Sequence, residues 1–81
     1  MDDKAILQEI DGLVDEEHRL RADVVAGKLS TDEEHARLRE VDVRLDQLWD
    51  LLRRRRAARR RGENPDTEQP RSAEEVESYL Q

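Results

Sequence analysis

Residues 38–61, LREVDVRLDQLWDLLRRRRAARRR, constrain this chain more than any other stretch. Leu38, Val41, Leu45, Leu48 and Leu52 recur at spacings of three, four, three and four, which stacks them on one side of a helix. Trp49 and Leu51 broaden the stripe, and residues 53–61 then hold seven arginines and no acid. A helix of this kind needs a cover for its stripe and a counter-charge for its end. The remainder of the chain offers both.

The cover precedes it. Ile6, Ile10, Leu13, Glu17, Leu20 and Val24 follow one another at spacings of four and three, the pattern of a heptad seam, and Leu7 and Val14 widen it. Glu17 stands on that line, so it is expected to reach solvent or to pair with Arg37 or Arg39 of the returning helix. Gly12, inside the same run, reads as a tolerated helical glycine. Between the segments, AGKLSTDEE carries Gly27 for a left-handed helix end. It also offers a capping box, Ser30 with Glu33 or Thr31 with Glu34. A turn this short makes the helices antiparallel neighbours. With the turn centred near Lys28, Leu13 falls opposite residues 43–45 and Ile6 opposite Trp49. The arginine segment then extends past the first helix.

These patterns predict an all-α fold. Residues 1–61 form a coiled-coil-like antiparallel two-helix hairpin, with helices over 3–26 and 31–61 and a turn at 27–30. Residues 62–71, GENPDTEQPR, contain two prolines and no apolar side chain and read as an acidic linker. Ser72 with Glu75 opens a short C-terminal helical segment over 72–81, whose Val76, Tyr79 and Leu80 suit docking on the hairpin. The expected core is Ile6, Ile10, Leu13, Leu20, Val24, Leu38, Val41, Leu45, Leu48, Trp49 and Leu52. A hairpin within 81 residues that include no cysteine has a small core and no covalent staple. The same apolar residues are therefore expected to join two copies as a homodimeric four-helix bundle.

Charge divides the chain into three blocks. Residues 1–52 hold seven basic and fifteen acidic side chains, net −8; residues 53–61 are +7; residues 62–81 set Arg71 against six acids, net −5. Arg53, Arg54, Arg55, Arg56, Arg59, Arg60 and Arg61 go nearly all round a helix and cannot share one buried face. They meet either the chain's own acids, with Asp2, Asp3, Asp46 and Asp50 in reach, or an outside partner bearing carboxylates or phosphates. The net −13 of the other two blocks opposes a polyanion, which places an acidic protein partner ahead of nucleic acid.

Catalytic signatures are missing. No phosphate-binding glycine loop, zinc-ligand spacing or nucleophile elbow occurs, and there is no thiol. Asp15 with His18, and Asp32 with His35, have the carboxylate–histidine spacing of helical di-metal sites. Both histidines lie beside the apolar lines and near the turn, so the surface reading of His18 and His35 outweighs the metal one. No metal or other cofactor is expected. No run approaches the roughly 20 apolar residues of a membrane span. The acidic start, MDDKAILQEIDG, lacks the features of a secretion signal, and the expected location is cytoplasmic.

Four stretches, EIDGLVDEEHRLR, STDEEHARLRE, VDVRLDQLWDLLRRRRAARR and VESYLQ, resemble a family of short actinobacterial proteins defined by a domain of unknown function. LDQLWDLLRRRRA is the most specific of the matching blocks. The resemblance implies a small cytoplasmic helical protein and brings no activity, cofactor or substrate with it. The reading that follows is a non-catalytic helical interaction or scaffold protein. It self-associates through its apolar seam and docks an acidic partner on its arginine-rich helix end. The alternative is a nucleic-acid-associated or transcription-regulatory factor acting through the arginines of residues 53–61.

Overall fold

A computed structural model of the chain describes residues 1–28 and 32–79. Three α-helices appear there: α1 (Asp3–Val25), α2 (Asp32–Arg60) and the short α3 (Ala73–Tyr79), with one turn of 3-10 helix at Pro65–Thr67 and no strand among the described residues. The capping boxes expected at Ser30 and Thr31, and Leu80 of the closing segment, lie outside the described residues.

Local chemistry accounts for the helix ends. Asp2 caps α1, its carboxylate accepting from the Ala5 N–H at 2.8 Å. At the other end Gly27 takes φ +71°, the Lys28 N–H donates to the Asp23 carbonyl and the Gly27 N–H to that of Val24. Helix α2 closes in the same way, with Gly62 at φ +75°, Glu63 donating to Ala58 and Gly62 to Arg59. Both ends are Schellman motifs, in which glycine alone avoids the steric cost of a left-handed residue. The Ser72 hydroxyl accepts from the Glu75 N–H at 3.2 Å and so starts α3.

Helices α1 and α2 lie antiparallel. As residue numbers rise along α1 from Asp3 through Glu9 to Glu16, their ion-pair partners on α2 fall from Arg55 through Arg44 to Arg37. Arg44 and Arg37 each grip their glutamate with two nitrogens, at 2.8 and 3.2 Å and at 2.6 and 2.8 Å. Arg37 thus meets Glu16 and not Glu17, which instead lies 3.6 Å from Arg21 of its own helix.

Ile6 and Ile10 of α1 close over Val41, Leu45, Leu48, Leu51 and Leu52 of α2, with Leu13, Val14 and Leu20 partly buried against them. Each fully buried aliphatic side chain of this kind contributes about 1.5–3 kcal/mol. Three residues expected in the core, Val24, Leu38 and Trp49, lie outside this cluster, and Val24 is 42% exposed and Trp49 41% exposed. Leu38 is intermediate. Trp49 is displaced by helix geometry. Relative to Leu48 it is turned about 100° one way, and Leu51 about 60° the other. Only the Leu51 flank is covered by a third layer.

That third layer is the C-terminal segment. Residues 62–71, read from sequence as a linker, lie along α2 and are fastened to it. Arg54 donates to the Gln69 carbonyl at 2.6 Å, Arg55 to that of Pro65 at 3.0 Å, and Gln47 to that of Arg71 at 3.1 Å. Val76 of α3 is buried, and α3 packs on α2 of the same chain. The molecule is elongated, 49 × 25 × 15 Å.

Glycine at position 12 has no role in this packing, since a Cβ there would meet nothing within 4 Å. Gly12→Ala should therefore raise stability by about 0.5–1 kcal/mol, whereas Gly62→Ala should lower it by about 1 kcal/mol through strain at positive φ. Thermal melts followed by circular dichroism would show opposite shifts.

Candidate interaction surface

The seven arginines of residues 53–61 separate into two sets. Arg54 bridges Asp50 at 3.0 Å and Glu68 at 2.8 Å. Arg55, only 3% exposed, holds Asp3 at 2.7 Å and Asp66 at 3.1 Å. Arg59 takes the second oxygen of Asp3 at 2.7 Å, and Arg61 lies 3.0 Å from Glu63. Asp3 and the 62–71 segment therefore cover much of the helix end that the sequence left projecting. Arg53, Arg56 and Arg60 are exposed and have no ion pair among the described residues.

Those three share one flank with Trp49. Asp42, Asp46, Trp49, Arg53, Arg56 and Arg60 follow at spacings of four, three, four, three and four, so they run as a strip along α2. Helix α1 covers the Leu45–Leu48–Leu52 side and the C-terminal segment the Leu51 side, which leaves Trp49, Arg53, Arg56 and Arg60 exposed, with Asp42 and Asp46 partly buried at the other end of the strip. Its two halves are opposite in charge. Asp42 pairs with Arg21 at 3.0 Å and crowds Glu17, whose carboxyl is pushed up by its contact with Asp42 and then by burial. Burial, followed by the charge on Asp42, likewise pushes up the Asp46 carboxyl. Asp46 has no side-chain hydrogen bond or ion pair among the described residues.

The sequence grouped all seven arginines and assigned Trp49 to the core. The spacing that links Trp49 to Arg53, Arg56 and Arg60 was present in the sequence. Which flank stays open was not, because it depends on where residues 62–79 dock. His18 and His35 are both exposed, and no group of three or more histidine, cysteine, aspartate or glutamate side chains is placed to hold a metal ion among the described residues. No helix among them is long and apolar enough to cross a membrane.

The paired arginines support the fold, and the unpaired ones do not. Arg55→Ala leaves Asp3, Asp66 and the Pro65 carbonyl without their shared donor and should cost about 2–4 kcal/mol. Arg56→Ala should stay within about 0.5 kcal/mol of the parent, and urea denaturation of the two variants would show the contrast. The Asp3 carboxyl is held at about 2, below its ordinary 3.8, by hydrogen bonds from Arg59 and then Arg55. A carboxyl depressed in the folded state stabilises above its unfolded pKa and loses that effect as pH falls through the folded value. Asp3→Asn should thus lower stability by about 1–2 kcal/mol near neutral pH, the gap closing between about pH 4 and pH 2.

Comparison with known proteins extends over nearly the whole chain. Three curated relatives, one from Mycobacterium bovis and two from strains of Mycobacterium tuberculosis, are each described as an uncharacterized protein. Each is 46% identical over 77 residues, covering 95% of this chain and 88% of the relative. No solved structure matches. The family described as protein of unknown function DUF2630 matches residues 2–81, and the chain belongs to it.

Proposed function

We propose that the chain is a small helical interaction protein of the cytoplasm, without catalytic activity, that self-associates and receives carboxylate groups on the outward strip of α2. The antiparallel α1–α2 pair acts as a coiled-coil-like hairpin, one half of a four-helix bundle formed by two copies. The observation that supports this reading most is the division of the arginines. Arg54, Arg55, Arg59 and Arg61 are neutralised within the chain, while Arg53, Arg56 and Arg60 remain exposed in line with Trp49. An aromatic side chain beside guanidinium groups is a common composition for a protein contact surface. The all-helical architecture, with its many surface ion pairs, is consistent with such a role.

Trp49 beside Arg53 also suits a nucleotide base stacked next to a bound phosphate, which is the second reading. Asp42 and Asp46 in the other half of the strip oppose it, because they repel a polyanion lying along α2.

Trp49 is the chain's one tryptophan and reports directly on the strip. Titration with a three-residue glutamate peptide, short enough to meet the arginine half alone, should change its emission, and the change should disappear in the Arg53→Gln/Arg56→Gln/Arg60→Gln variant and weaken with salt. A single-stranded oligonucleotide long enough to reach Asp42 and Asp46 should act more weakly. An oligonucleotide response with none to the glutamate peptide would replace the first reading by the second, and silence toward both would remove the strip as a carboxylate-binding surface.

A further inference from the structure

The strip on α2 is complementary in charge to itself when reversed. Asp42 lies seven residues before Trp49 and Arg56 seven after; Asp46 lies three before and Arg53 four after. We infer that a second copy of this chain docks on this strip with the two α2 helices antiparallel, Trp49 at the twofold axis, and Asp42 and Asp46 of each copy against Arg56 and Arg53 of the other. The inference rests on the self-association reading above and assigns it a face and an orientation.

A twofold interface presents the same patch from both sides, so each contact occurs twice and the patch must match its own reversal. This strip meets that condition in the antiparallel sense alone. Laid parallel, it would set Asp46 beside Asp46 and Arg53 beside Arg53. The apolar seam foreseen from the sequence is not free for this role, because Ile6, Ile10, Val41, Leu45, Leu48 and Leu52 are already buried within one chain. Trp49 remains half-exposed on the open flank.

The charges on the strip are met only in part at home: Arg21 pairs with Asp42, and the charge on Arg53 draws the Asp46 carboxyl down against the larger upward effects of burial and Asp42. Asp46, Arg53 and Arg56 lack ion pairs among the described residues, and Asp42 and Glu17 share the single guanidinium of Arg21. Glu77 of α3 adds a further negative charge near Asp46. An arginine arriving from a second copy would relieve this repulsion. A foreign anionic partner fits less well, since half of the strip repels it. Two tryptophans meeting at the axis supply the apolar centre, with the Asp–Arg pairs as rim.

Charge exchange tests the arrangement. Arg53→Glu and Asp46→Arg each remove a side chain without an ion pair in the single chain, so both variants should keep the parent helicity by circular dichroism. By sedimentation equilibrium the parent should dimerise, with Trp49 emission moving to shorter wavelength as concentration rises. Each single variant should bind itself at least about tenfold more weakly. The double variant Asp46→Arg/Arg53→Glu should recover dimerisation, because its strip is again complementary to its own reversal. A dimer of unchanged strength in both single variants would overturn this face while leaving self-association intact. Loss in the single variants without recovery in the double variant would overturn the antiparallel pairing. A parent monomeric at about 100 μM would overturn both the interface and the self-association reading, at an affinity weaker than about −5.5 kcal/mol.

Discussion

The buried guanidinium of Arg55 joins three parts of the chain. It holds Asp3 at the start of α1, and Asp66 and the Pro65 carbonyl in the segment after α2. A cation with so little exposure is unfavourable unless its donors are satisfied, and removing one partner leaves the others exposed to that cost. Arg55 therefore couples the beginning of α1 to the placement of residues 62–71. Arg59 strengthens the same junction by taking the second oxygen of Asp3. The fold closes at this end through ion pairs because the apolar stripe has run out by Leu52.

The placement of residues 62–79 in turn decides what α2 presents to solvent. Arg54, Arg55 and Gln47 draw the C-terminal segment onto the Leu51 flank, where Val76 and Ala58 become buried. On the opposite flank Arg21 reaches Asp42, while Trp49, Arg53, Arg56 and Arg60 stay exposed together. Structural closure and the outward strip are thus two results of one docking event. The same event separates arginines paired within the chain from arginines left exposed.

Much of the local structure was legible from residue spacing. The four-and-three recurrence from Ile6 to Leu20 and from Val41 to Leu52 points to two amphipathic helices, and Ser72 with Glu75 to a third, short one. Gly27 and Gly62 mark helix ends because few other residues tolerate positive φ. Legibility failed at the stripe's margins. Trp49 looked like core from its apolar character, and Glu17, standing on the apolar line, was expected to reach solvent or to pair with Arg37 or Arg39, whereas Arg37 meets Glu16. One helical position, about 100° of rotation, separates the outcomes in each case.

The sequence alone determined the all-helical class with its three helices and the division of charge into acidic, basic and acidic blocks, because periodicity and composition are local properties. Only the tertiary structure decided which arginines are neutralised and which flank of α2 stays open. Seven arginines distributed nearly all round a helix are locally equivalent. Their equivalence is broken by Asp3, from the far end of the chain, and by the segment beginning at Gly62, which reach one part of that circumference and leave the rest to solvent.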